Sequence, residues 1–383
     1  GKMHFIGPDQ LHGFEQRLTQ DLQPTGFELT PDWTRGVYAN PGTGVKRLRH
    51  PGVCDGNKHL DFDEIVHRRT LRKIQELGQN RVQRPFFLCA SYFHPHDPFV
   101  ITKEYWERYE GVDIPMPDAP PESLETMHPY NQWIQVHHEV DQYRLNEQEV
   151  RLNRRAYYGM VSYFDDKVGD ILRELERMQL TNNTIIVVVS DHGEMLGEHG
   201  MWFKRTLYDP AAKVPLIFSW PGRLAEGRQV EEVVSLVDVG ATLMKLADVP
   251  EADEWIAEMD GDSFHQLLMG EQADWKNEAF YEYQGEGTIH PMMALRKGKY
   301  KLVYIHGEEP LLFDVDNDPH ETRNLIKEPA YQKLSAHLLN WVQREFDFEK
   351  IETEVLKSQR ERLMMLDALQ TGTRTKWEHI PPA

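Results

Sequence analysis

Cysteine is almost missing from this chain: Cys54 and Cys89 are the only two in 383 residues. Two thiols cannot build a disulfide framework, and neither has metal-ligand spacing to a partner, so both read as small hydrophobes in a reducing compartment. Long apolar runs are missing too. No stretch reaches the roughly 18–20 residues of a membrane span, which makes a soluble, cytoplasmic protein without membrane contacts the expectation, with the periplasm as the alternative. Basic charge is scarce: 43 Lys and Arg face 62 Asp and Glu, a formal charge of -19. Without a basic patch, and none is visible, that balance repels nucleic acid and anionic lipid. There is no internal repeat. There is also no initiator methionine or signal peptide. The chain opens at Gly1-Lys2-Met3-His4-Phe5-Ile6-Gly7, in what reads as a strand and its turn, and so reads as the remainder of a longer protein.

What is present is organised around Thr184 to Lys204. Ile185 to Val189 is a β-branched apolar run that reads as a central strand covered on both faces. It ends in Ser190-Asp191-His192-Gly193, at the carboxyl end of a strand, where open α/β sheets form ligand crevices. Pro85 to Tyr92 reads as a second buried strand and Val214 to Ser219 as a third. Val233 to Leu236 adds a fourth apolar segment. Helical periodicity over Asp61–Leu77, Glu149–Leu180 and Val239–Ala247 completes an alternation that predicts a mainly parallel, helix-covered sheet. Residues 99–145 are a Pro-rich excursion. Beyond about Asp274 short strands with tight turns predict an antiparallel sheet over 279–314, then a helix over 330–346. The expected division is an α/β domain over 1–273, an antiparallel α+β subdomain over 274–346, and a helix and extended tail over 347–383.

Several side chains are candidates for chemistry. Asp191 and His192 can reach one divalent cation if the strand end turns sharply at Gly193, although Asp-x-Gly is equally a turn and helix-capping signal. Lys2 and His4 share a face if 2–4 is a strand, a lysine and an imidazole suited to an anionic ester. His94 and His96 also sit two apart. One of them reads as a structural histidine, and the acid role goes to His96, beside the stiff Asp97-Pro98 corner. Lys204 follows Trp202 and Phe203. Glu282 and Glu286, among Tyr281 and Tyr283, could form a box for a cationic head group, or simply a polar hairpin edge.

Taken together these stretches resemble a known family. Gly1 to Phe5 with Gly7 to Glu15, His94-Pro95-His96-Asp97-Pro98, Ser190 to Glu198 and Trp202-Phe203-Lys204 look like the sulfatases of the alkaline phosphatase superfamily, nearest to choline sulfatases. The likeness continues through Val214-Pro215-Leu216, Leu312-Phe313-Asp314 with Asp318-Pro319 and Asn324-Leu325, and Ser358 to Arg362. It implies an alkaline-phosphatase-like α/β sandwich with a large mixed, mainly parallel sheet and a small C-terminal antiparallel subdomain. It also implies that Asp191 and His192 ligate a divalent metal, Ca2+ foremost with Mn2+ or Mg2+ as alternatives. Lys2, His4, His96 and Lys204 match the residues that hold the sulfate group and assist the leaving oxygen. Asn40 and Glu286 are the head-group contacts to expect if the substrate is choline-O-sulfate. The partner implied is a small-molecule sulfate ester, in a protein that is commonly a homo-oligomer.

The family's nucleophile is a formylglycine made from a Cys-x-Pro/Ala-x-Arg motif, and this chain has none: Cys54 lies in Val-Cys-Asp-Gly-Asn and Cys89 in the apolar run. In the family that motif precedes the Gly-Lys-Met-His stretch. The chain alone is therefore expected to be inactive, and a sheet lacking its first strands is expected to expose apolar edges. Choline sulfatases also carry a Trp where this chain reads Phe27-Glu28-Leu29-Thr30. Two other readings stand beside the sulfatase one: a phosphonate monoester or phosphodiester hydrolase of the same superfamily, and a non-catalytic binding protein.

Overall fold

A computed structural model describes residues 1–5, 7, 9–22, 27–39, 42–79 and 84–372. The chain divides into two compact units. The first contains residues 1–117, 135–181 and 356–383, the second 118–134 and 182–355. The expected boundary at 273/274 falls inside the second unit.

In the first unit two long helices carry the core. Lys58–Gln79 turns Leu60, Phe62, Val66 and Ile74 inward, and Glu147–Arg177 turns Ala156, Met160 and Tyr163 inward. The second helix starts at a capping box: the Asn146 side chain accepts from the Glu149 N–H while the Glu149 carboxylate accepts from the Asn146 N–H. Gly159 is where this helix meets its neighbours, since a Cβ there would lie 3.1 Å from both Ile101 and the Tyr105 carbonyl. A short parallel ladder joins β1 (Gly52–Val53) to β2 (Val100–Ile101).

The second unit holds the other strands. β3 (Ile186–Val189) pairs antiparallel with β6 (Leu216–Ser219), and β4 (Met195–Leu196) pairs antiparallel with β5 (Trp202–Phe203). β7 (Glu278–Tyr283), β8 (Met292–Lys297), β9 (Tyr300–Ile305) and β10 (Leu311–Asp314) form an antiparallel meander. Period-two alternation splits its core. Met292, Ala294, Val303 and Ile305 pack with Met195, Met201, Leu207 and Ala211 on one face, while Met293, Leu295 and Leu302 meet Leu338 and Val342 of the helix Gln332–Glu345 on the other. A final helix spans Phe348–Gln370.

The α/β character, the helices Lys58–Gln79, Glu147–Arg177, Val237–Leu246 and Gln332–Glu345, and the antiparallel meander are as the sequence predicts. The ladders elsewhere are not. β3 is joined to β6 antiparallel rather than parallel, and its Val189 is 43% exposed rather than covered. Residues 85–92 form no ladder among the described residues; the Lys2 N–H to Ser91 O bond, its return from Ser91 Oγ and the Tyr92 hydroxyl set 2.9 Å from His67 Nδ1 tie that segment down. Residues 233–236 precede the helix Val237–Leu246 without strand pairing. No helix among the described residues is long and apolar enough to cross a membrane.

Candidate active site

β3 delivers Ser190, Asp191 and His192 to a sharp turn, and the turn depends on Gly193. A Cβ at that position would lie 2.1 Å from the Pro210 carbonyl oxygen, so the backbone of the short helix Asp209–Ala212 can approach only a glycine. Two hydrogen bonds fix that approach, Gly193 N–H to Ala211 O at 2.7 Å and Glu194 N–H to Pro210 O at 2.8 Å. The β4–β5 hairpin then brings Lys204 back. Its register sets Met195 opposite Phe203, and Lys204 is the next residue along.

The result is a three-residue constellation. His192 Nδ1 lies 2.7 Å from the Gly193 carbonyl, which can only accept, so Nδ1 carries the proton. Nε2 is then the open lone pair, and Lys204 Nζ points at it from 2.6 Å. The Asp191 carboxylate lies 3.5 Å from the same Nε2 and is mostly exposed. A neutral imidazole, an ammonium and a carboxylate thus converge at one strand end, where an anionic group meets a cation; a metal would meet the Asp191 carboxylate, and His192 Nε2 only in place of Lys204. Among the described residues no three His, Cys, Asp or Glu side chains gather to hold a metal. Hard cations take six or more oxygen ligands, so Asp191 and His192 do not by themselves make a complete site.

In the first unit the other candidates sit around one ring. The His59 imidazole stacks on Phe93 at 4.0 Å, His96 lies against it at 4.8 Å, and Lys2 Nζ is 5.7 Å over it. Asp97 orients His96, with Oδ1 at 3.0 Å from Nδ1, and is itself held by Arg47 at 2.9 Å. His94 is the structural histidine of the pair. Fully buried Asp63 accepts from the Phe93 and His94 N–H groups and, at 2.7 Å, from His94 Nδ1. His59 was not legible as part of this cluster; burial, reinforced by the Lys58 ammonium, pushes its pKa down to about 4.

The period-two reading of Lys2 and His4 fails. His4 has φ +53°, and the consecutive N–H groups of Met3 and His4 both donate to Asp21 Oδ2, whereas successive N–H groups of a strand point oppositely. His4 is exposed. Asn40 lies outside the described residues. Glu286 is engaged by Arg205, whose Nε donates to its carboxylate at 2.8 Å; Glu282 is exposed beside Gln284. Arg205 carried no sequence signal, because its partner lies 81 residues away.

The sulfatase family profile matches residues 13–249, and that of the N-sulphoglucosamine sulphohydrolase C-terminal region matches residues 197–346. The chain belongs to the sulfatase family. It is 34% identical to a choline-sulfatase of Rhizobium meliloti over all of its own length and 75% of that protein. With an arylsulfatase of Clostridium perfringens the identity is 28%, over 88% of this chain and 73% of the relative. The phosphonate monoester hydrolase of Silicibacter pomeroyi superposes with a TM-score of 0.63 at 24% identity, over 82% of this chain and 66% of that one. That likeness shows the fold, the alkaline-phosphatase-like α/β fold expected from the sequence. The family is one of hydrolases acting on sulfate esters.

Proposed function

We propose that this sulfatase chain contributes the anion-holding and proton-handling part of a site that hydrolyses a small organic sulfate monoester, with choline-O-sulfate a candidate substrate. The observation that carries the reading is Lys204 Nζ set 2.6 Å from His192 Nε2 at the end of β3, in a chain similar over its whole length to a choline-sulfatase. Sulfate ester cleavage builds negative charge on the bridging oxygen, and a pre-placed ammonium stabilises that charge without reorganising. In this reading Lys204 neutralises sulfate oxygens at the end of β3; the roles that the family resemblance gives to residues of the first unit are sulfate holding for Lys2, protonation of the leaving alkoxide for His96 and a further proton transfer for His4. The nucleophile would be a formylglycine of the kind the family carries, and neither Cys54 nor Cys89 stands in its motif. Asp191 would supply one donor of a divalent-cation site, and His192 Nε2 a second only where Lys204 gives up its contact with that nitrogen.

The test is sulfate release by the product of the whole reading frame, on 4-nitrophenyl sulfate and choline-O-sulfate, against a phosphonate monoester. Faster turnover of the sulfates is expected, and Lys204→Ala should lower it by about 10²–10³, the usual cost of one charge-stabilising donor. Preference for the phosphonate would favour the second reading, which His192 as a nitrogen donor supports. No turnover of any ester would leave a binding role.

A further inference from the structure

Lys204 is bracketed by strain. Phe203 has φ +68° and Arg205 φ +77°, left-handed conformations that residues with side chains keep only when something holds them. Phe203 is held by burial in the β4–β5 hairpin. Arg205 is held by charge: its Nε and Nη2 both donate to one oxygen of Glu286, and the two side chains are only 10% and 16% exposed. Glu286 is fixed in turn, since the Tyr283 hydroxyl donates to its carbonyl at 2.6 Å. The grip continues at alternate residues. The Tyr281 hydroxyl donates to the Leu207 carbonyl at 3.2 Å, and Lys301 Nζ donates to Asp209 at 2.8 Å. Positions 205, 207 and 209 are each tied to residues from 281 to 301, and the segment they belong to leaves β5 directly after Lys204.

We propose that Arg205 and Glu286 form a positioning pair that sets the Lys204 ammonium on His192 Nε2. Glu286 then acts through Arg205 on the anion-holding lysine and is not a head-group contact. The inference rests on the reading of Lys204 given under Proposed function, but its test does not need turnover.

The experiment is acylation of lysines in the native chain, read residue by residue by mass spectrometry, in the wild type, Glu286→Gln and Arg205→Lys. Half-exposed Lys299 and fully buried Lys301 serve as internal references. Glu286→Gln should raise Lys204 labelling about tenfold, the scale of losing a charge-assisted bond in a largely buried setting. Arg205→Lys keeps the charge and loses the fork, so about threefold is expected. Lys301 should stay protected in both. Unchanged Lys204 labelling in either folded variant overturns the proposal, as does a parallel rise at Lys301, which would mean general loosening. If Glu286→Gln does not fold, Arg205→Lys decides alone. A chain that releases no sulfate yet shows the graded labelling would separate failure of the sulfatase reading from failure of this one.

Discussion

The pair β3–β6 is apolar at every position but Ser219, while the meander β7–β10 carries six charged residues, yet it is the meander that is enclosed. Every residue of β10 and the first four of β8 are buried, because one face meets the β4–β5 hairpin and the other the helix Gln332–Glu345. In the pair, Val189 is 43% and Ile217 57% exposed. The more apolar strands are thus the more exposed, so covering layers rather than composition decide burial. A two-stranded ladder has two open edges and gains little stability by itself. The meander also tolerates a charge that the pair has no means to hold. Lys301 is fully buried on the face toward the site, bonded to Asp209 and Glu321, and the Glu321 carboxylate also accepts the Asp209 N–H at 2.6 Å.

That contrast can be broken at several points. The largest effect is expected from Lys301→Met, which leaves two carboxylates without their shared cation; about 3–5 kcal/mol of unfolding free energy should be lost in urea titrations. A loss below about 1 kcal/mol would mean that the network opens to water. Burial opposes the charge on Lys301, but Tyr281, Glu321 and Asp209 together hold its pKa above the ordinary value. A raised folded pKa contributes stability that is fully present below the unfolded value of about 10.4 and is lost only as pH rises through the folded one. The wild-type advantage over Lys301→Met should therefore persist through neutral pH and shrink only in strong alkali.

Next comes Leu295→Ala, a cavity in the enclosed face, at about 3 kcal/mol in the same titration. Ile217→Ala should cost less than about 1 kcal/mol, since a half-exposed side chain leaves little to lose. Equal costs at 295 and 217 would show that the pair is covered in solution and end the comparison. Smallest in energy is Ile217→Thr, whose readout is binding of a hydrophobic dye: it should fall in this variant and stay unchanged in a conservative Leu295→Met control.

How much of this was legible follows the same division. The meander was readable from tight turns such as Lys297-Gly298 and from alternation within each strand, both local signals. Asp191 and His192 were readable as polar residues closing an apolar strand, a local signal too, whereas the meeting of Lys204 with His192 comes only with the β4–β5 hairpin. The unread parts depend on distant residues. Asp63 makes His94 structural from 31 residues away, Arg205 needs Glu286, and His59 reaches Phe93 only through the fold. Residues 85–92 have strand composition, but a strand needs a partner, and composition does not supply one. At Lys2 and His4 the assumed alternation was defeated by a single left-handed residue.

Gly193 ties these observations into a statement about variation. With 2.1 Å between its would-be Cβ and the Pro210 carbonyl, a methyl group there would push the turn Asp209–Ala212 aside, and Asp209 is the residue that Lys301 grasps inside the sheet. A disturbance at the surface turn would thus reach the buried lysine without crossing any soft contact. Positions 193, 209, 301 and 321 should behave as one inherited block, accepting substitutions jointly or rejecting them singly, although 128 residues separate the first from the last.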